Sequence, residues 1–354
     1  MDFRTSSYVE DALVQLAHHN IYGYTNTQDG DGFFEAVAGW MKRHHDWEVW
    51  PEWHVKTPGV CVAIANAIRA VTEPGDAVLI NQPVYYPFSS TIVQNDRKRV
   101  SSDLVCDEED RYSIDFQDFE QKIVENQVKL FILCNPHNPV GRVWTKEELL
   151  RIGTICREHQ VLVFSDEIHF DFIWSGEHHV FQEVDPSFRE FTITATAPSK
   201  TFNLAGLVGS YHIVYDEYLR DRLNASTGKS GYNHMNVLSM HALIGAYRPE
   251  GYEWADELCE TLTGNVDFAC DYIAKHFEGV HVTKPEGTYM LFVDCTDWCA
   301  AHGKTIQDVE KACWAVGAAV QDGVMFHGPC HLRINLASPR ARIEEAFHRM
   351  DRYV

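Results

Sequence analysis

From Ala77 onward, short apolar runs alternate with helical patterns, and that alternation decides most of what the chain can fold into. The runs fall at Ala77–Ile80, Leu130–Cys134, 161–164, 191–195 and 211–214. Patterns with a period of about 3.6 residues separate them. The one at 145–159 opens on Thr145 and Glu148, in the spacing of a capping box. A strand that is apolar at every position has no solvated side, so it needs cover on both faces. Strands joined through helices run parallel. The expected fold class is therefore α/β, with a mostly parallel central sheet in a large domain.

Past residue 250 the pattern changes. A long helical stretch at 254–276 precedes strand patterns at 280–283, 289–293 and 332–336, with helices at 305–316 and 339–349. This is an α+β arrangement and is expected to form a smaller domain. We assign 27–250 to the large domain, and 1–26 with 251–354 to the small one. Earlier in the chain, 8–19 reads as an amphipathic helix, and Phe33–His45 as a helix capped by Asp31 or Gly32. Pro58-Gly59 leads into a helical pattern at 61–68. Backbone N–H groups at such a start can hold a phosphate, although an ordinary loop-to-helix junction looks the same in sequence.

Several function classes are disfavoured. A formal net charge of −21 argues against nucleic acid and anionic membrane surfaces as partners. No apolar run approaches the roughly 18 residues of a membrane-spanning helix, and Met1-Asp2-Phe3-Arg4 lacks a secretion-signal pattern. The ten cysteines form no C-x-x-C pair, and Cys134 and Cys156 sit in apolar runs. Reduced core thiols and a cytoplasmic location are expected from that usage. The histidines at 18–19, 44–45 and 178–179 are adjacent pairs, which do not share one face of a helix or strand, so no metal site is expected.

Three apolar strands run into polar groups. Leu130–Cys134 leads to Asn135-Pro136-His137-Asn138-Pro139-Val140-Gly141, and 161–164 leads to Ser165-Asp166-Glu167-Ile168-His169. The third, at 191–195, leads to Ala197-Pro198-Ser199-Lys200-Thr201-Phe202-Asn203, where Lys200 is the one charged residue between Glu190 and Tyr211. Ligands of open parallel sheets bind beyond the carboxyl ends of the strands. Three such ends would bring an amide, a carboxylate and an amine to one crevice. A lysine removed from charge and water is a nucleophile. Each group also has a plain structural use: Asn138 in a turn, Asp166 as a helix cap, His169 in the interior and Lys200 in a surface turn.

Taken together, these three segments closely resemble fold-type-I pyridoxal-phosphate enzymes of the class I/II aminotransferase group. More narrowly they resemble the MalY/PatB-type cystathionine β-lyases, a carbon–sulfur lyase branch. The likeness runs from Met1-Asp2-Phe3 to Arg333-x-Asn335-x-Ala337-x-Pro339-Arg340. It implies pyridoxal 5′-phosphate as cofactor, bound covalently by Lys200, which then removes the substrate α-proton. Asp166 would pair with the ring nitrogen, Asn138 would bond the ring's 3′ oxygen, and His169 would lie near that oxygen. Tyr85 would stack on the ring. The backbone N–H groups of Val60 and Cys61, with Ser199, would hold the phosphate. Arg333 would grip the substrate carboxylate. Tyr24 would reach the neighbouring subunit's cofactor, so a homodimer with shared active sites is implied.

The implied reaction is α,β-elimination of L-cystathionine or a related cysteine S-conjugate to a thiol, pyruvate and ammonia. The thiol from cystathionine is homocysteine. Two alternatives stand beside it: an aminotransferase on the same fold, and an inactive cofactor-binding regulator.

Overall fold

The main sheet has seven strands, in the order His54–Thr57, Ser210–Ile213, Thr192–Thr196, Leu162–Asp166, Leu130–Cys134, Ala77–Ile80 and Lys98–Ser101. The computed structural model describes residues 1–23, 25, 32–107, 110–231 and 234–352. The four strand pairs from Thr192–Thr196 to Lys98–Ser101 are parallel. Every residue of Ala77–Ile80, Leu130–Cys134 and Thr192–Thr196 is buried. The reason is visible in how their side chains divide. Leu79, Phe131, Leu133 and Val163 pack on one face with Trp144, Phe119 and the helix Lys146–Glu158. Val78, Ile80, Leu130, Ile132 and Phe164 pack on the other with Ile64, Ala67 and the helix Val60–Val71. Alternate residues point to opposite faces and both faces are covered, which is why Ala77–Ile80 and Leu130–Cys134 are apolar throughout.

The expected helix at 145–159 is Lys146–Glu158, and both halves of its Thr145/Glu148 capping box are formed. Two expectations need correcting. The run at 211–214 is the strand Ser210–Ile213, and it pairs antiparallel with Thr192–Thr196. The connection between them holds only loop and the short 3₁₀ turn Ala205–Leu207, with no α-helix to carry a parallel crossover. The strands His54–Thr57 and Lys98–Ser101 were not anticipated. Both are sheet edges, and in Lys98–Ser101 only Val100 is buried. An edge with so little apolar content carries no periodic signal.

A second sheet of four antiparallel strands orders His281–Val282, Met290–Asp294, His331–Asn335 and Gln321–Asp322. Its core joins Leu291, Val293, Leu332 and Ile334 to Val266 and Ile273 of the long helix Pro249–His276, and to Phe347 of Arg340–Met350. We propose the two sheets as the centres of the large and small domains. The first residues divide between them. Asp2 N–H bonds Ala337 O at 2.8 Å, whereas the helix Ser7–His19 packs on Val237–Ala246, with Val9 in the same core as Phe33 and Tyr211. Among the described residues, no helix is long and apolar enough to cross a membrane.

Candidate active site

Sheet register builds the site. Asp166 ends the strand Leu162–Asp166, opposite Cys134 on one side and Ala195 on the other. The segments leading to Asn138 and to Lys200 therefore leave the sheet at the same edge as Asp166, one strand to either side. Lys200, Asp166, Asn138, His169, Tyr85, Val60, Cys61, Ser199 and Arg333 all line one cavity of about 510 Å³. Tyr24, the remaining residue expected at the site, lies outside the described residues.

The loops are held rigidly. His137 Nε2 lies 2.8 Å from Pro83 O, and Asn135 Nδ2 donates to His179 O at 3.0 Å. Buried Arg142 is bonded to Glu286 at 2.8 Å and to Glu148 at 3.0 Å, tying the Asn138 loop to the segment before Met290–Asp294. Gly59 precedes the helix Val60–Val71 at φ +95, and no side chain caps that helix. An added Cβ at Gly59 would meet Val208 at 3.2 Å in a backbone conformation L-residues rarely adopt. Val60, Cys61 and Val62 of the first turn line the cavity, and among the described residues no side chain caps that turn.

Burial governs the charges. It lowers the pKa of Lys200, helped by the Arg333 guanidinium and opposed by the Asp166 carboxylate, so the amine is more available as a neutral nucleophile. Burial pushes Asp166 up to about 7, with the Ile168 N–H and Lys200 pulling it down and Glu167 adding to the rise. Ile168 N–H reaches Asp166 Oδ1 at 3.2 Å. A carboxylate set this deep is matched by a protonated partner. His169 is held neutral, first by burial and then by Lys200 and Arg333.

Arg333 lies on His331–Asn335, where its Nη1 donates to Gln321 Oε1 at 2.8 Å and its Nη2 lies 3.2 Å from Met290 Sδ. Its guanidinium carbon sits 4.8 Å from the Phe326 ring centroid. Arg333 Nε is buried and, among the described residues, has no partner. Both terminal nitrogens of the guanidinium are thus engaged, and Nε is the one left without a partner. Gln321 and Met290 also line the cavity, and sequence reasoning missed both. Gln321 opens a two-residue strand, too short for any periodic pattern, and Met290 looks like any other core residue of its strand.

The donor set suits pyridoxal phosphate. It offers an amine for the aldehyde, a deep acid for the ring nitrogen, a tyrosine face for the ring and free helix N–H groups for the phosphate. Asn138 Oδ1 and His169 Nδ1, both buried, lack partners among the described residues, as expected of groups awaiting a polar ligand.

A mostly parallel sheet with this cavity at the carboxyl ends of its strands, closed by Arg333 from a smaller antiparallel sheet, defines a protein of the aminotransferase type. The chain belongs to the aminotransferase class I and II family, whose pattern matches residues 2–350. Within that family it is 35% identical over 354 residues to cystathionine beta-lyase PatB of Bacillus subtilis, covering 99% of this chain and 89% of PatB. It is 30% identical over 352 residues to protein MalY of Escherichia coli, covering 98% and 87%. Cystalysin from Treponema denticola, solved with its pyridoxal 5′-phosphate cofactor, superposes with a TM-score of 0.93 at 33% identity, over 100% of this chain and 89% of that one. The PLP-bound C–S lyase from Staphylococcus hominis superposes at 0.92 and 30% identity, over 100% and 89%.

Proposed function

We propose that this chain is a pyridoxal-phosphate-dependent carbon–sulfur β-lyase that eliminates the thiol from L-cystathionine or related cysteine S-conjugates. The products are the thiol (homocysteine from cystathionine), pyruvate and ammonia. One observation carries the reading: an amine, a deep carboxyl, an amide and an arginine, from four separate segments, line a single cavity. Relatives named as cystathionine beta-lyase and C–S lyase give the reaction class.

Bound pyridoxal phosphate supplies an electron sink for the charge left when the substrate α-proton departs. Lys200 would hold the aldehyde carbon, then take the proton from the substrate Cα at its Nζ. Asp166 would keep a proton on the ring nitrogen. Tyr85 would fix the ring plane, and Asn138 and His169 its polar edge. The helix start at Val60 and Cys61, with Ser199, would bind the phosphate. The Arg333 guanidinium would donate to the substrate carboxylate, while Gln321 keeps it from turning. Water then hydrolyses the released three-carbon enamine to pyruvate and ammonia.

We also propose a homodimer in which Tyr24 completes the neighbouring site, as the family likeness implies, and a cytoplasmic location. The latter is supported by ten free thiols.

Lyase and aminotransferase differ in a single assay. L-cystathionine with no added keto acid is expected to give pyruvate and free thiol in equal amounts over many turnovers. A single turnover that leaves a lasting pyridoxamine form, with no pyruvate, would replace the lyase reading by transamination.

A further inference from the structure

Behind the cavity lie two buried carboxylates to which the roles above assign nothing. Asp171, in the loop that begins at Asp166, has a side chain only 3% exposed. It accepts from the Trp40 indole at 3.2 Å, lies 3.0 Å from His45 Nε2, and accepts from the Thr201 hydroxyl at 2.5 Å. The Cys259 thiol donates to its backbone carbonyl at 3.3 Å. Burial lowers the His45 pKa, with Asp171 acting in the opposite direction. Glu167, wholly buried next to Asp166, accepts from Ser165 Oγ at 2.7 Å and Phe181 N at 3.1 Å, with His178 Nε2 at 2.9 Å. The rings of His45 and His178 stand 5.7 Å apart, edge to face, so the two groups adjoin.

A carboxyl buried among an indole, an imidazole and a hydroxyl is an expensive way to fill space, and an apolar side chain would serve packing better. What this carboxyl does is connect loops. Thr201, fully buried, directly follows Lys200. The turn carrying both is closed by Phe202 N–H to Pro198 O at 2.9 Å and Leu204 N–H to Ser199 O at 3.0 Å, so it moves as a unit. Asp171 pins that unit from behind, and the other end of its own loop is Asp166. We propose that Asp171 is a positioning residue: through Thr201 it fixes the Lys200 turn against the loop bearing Asp166, and so sets where the amine meets the substrate Cα.

The proposal rests on the lyase reading for its kinetic test and only on Lys200 as cofactor lysine for its spectral one. Thr201→Val removes the hydroxyl at nearly constant volume, and Thr201→Ser keeps it. In the holoenzyme, Thr201→Val is expected to lower kcat by about 30-fold, the scale of a small misplacement. KM should stay within about twofold, and Thr201→Ser should recover kcat to within about threefold. The pH midpoint of the holoenzyme's visible absorbance should move by at least about half a unit in Thr201→Val and hold in Thr201→Ser. Parent-like kcat and midpoint in Thr201→Val would overturn the proposal, as would equal impairment of both variants. Should Thr201→Val fail to fold, Asp171→Asn takes its place: the same losses support positioning and parent-like values overturn it. If the parent turns over no thioether, the lyase reading falls, and the absorbance midpoints decide the positioning role by themselves.

Discussion

Replacing Lys200 with alanine is expected to lower pyruvate release from L-cystathionine by about 10⁴-fold, the upper range for losing a general base, and to abolish covalent cofactor capture. Two properties of the residue set that size. Burial and the nearby Arg333 hold its amine below the ordinary lysine pKa, so it is poised to lose a proton. Among the described residues no other lysine lines the cavity, so no second amine stands ready to replace it. The fold should survive, because Lys200 lies on a turn closed by backbone bonds of its neighbours. Steady-state pyruvate formation alongside a thermal melt separates the two effects. Retention of more than about a tenth of the parent rate would remove Lys200 from the chemistry.

Asp166→Asn is expected to lower kcat/KM by about 10³-fold, because an amide cannot balance a protonated ring nitrogen. The same substitution has an opposite effect on stability without cofactor. Burial holds Asp166 up to about 7, against an ordinary 3.8. Between about pH 4 and pH 7, the native chain therefore keeps a proton that the unfolded chain has released. This group's contribution to stability is present below that window, declines as pH rises through it, and is lost above it. The cofactor-free variant should thus melt above the parent at about pH 8, with the difference shrinking towards about pH 4. Lower activity together with higher cofactor-free stability marks a group kept for chemistry. A variant both inactive and less stable at the higher pH would mark Asp166 as structural.

Much of this was legible in the sequence, for physical reasons that differ by element. Leu130–Cys134 could be read because complete burial leaves an uninterrupted apolar run, and Thr192–Thr196 because its β-branched residues favour a strand. Lys98–Ser101 could not, since one buried valine in four residues makes no pattern. The reversed direction of Ser210–Ile213 goes with a connection that has no α-helix, which strand hydrophobicity does not encode. At the site, Lys200, Asp166 and Asn138 were readable because each follows an apolar strand, and register then places those strand ends side by side. Arg333 came from motif likeness alone. Gln321 and the Asp171 partners Trp40 and His45 were illegible, because pairing between distant segments brings them in and no local spacing announces it.

Everything turns on one amine facing one deep carboxyl across a shared cavity. Borohydride reduction of the holoenzyme, followed by peptide mass mapping, tests this most directly. The expected result is a single modified peptide carrying the reduced cofactor on Lys200, missing from Lys200→Ala and present in Asp166→Asn. Label on another lysine, or none on a parent protein saturated with pyridoxal phosphate, would contradict it.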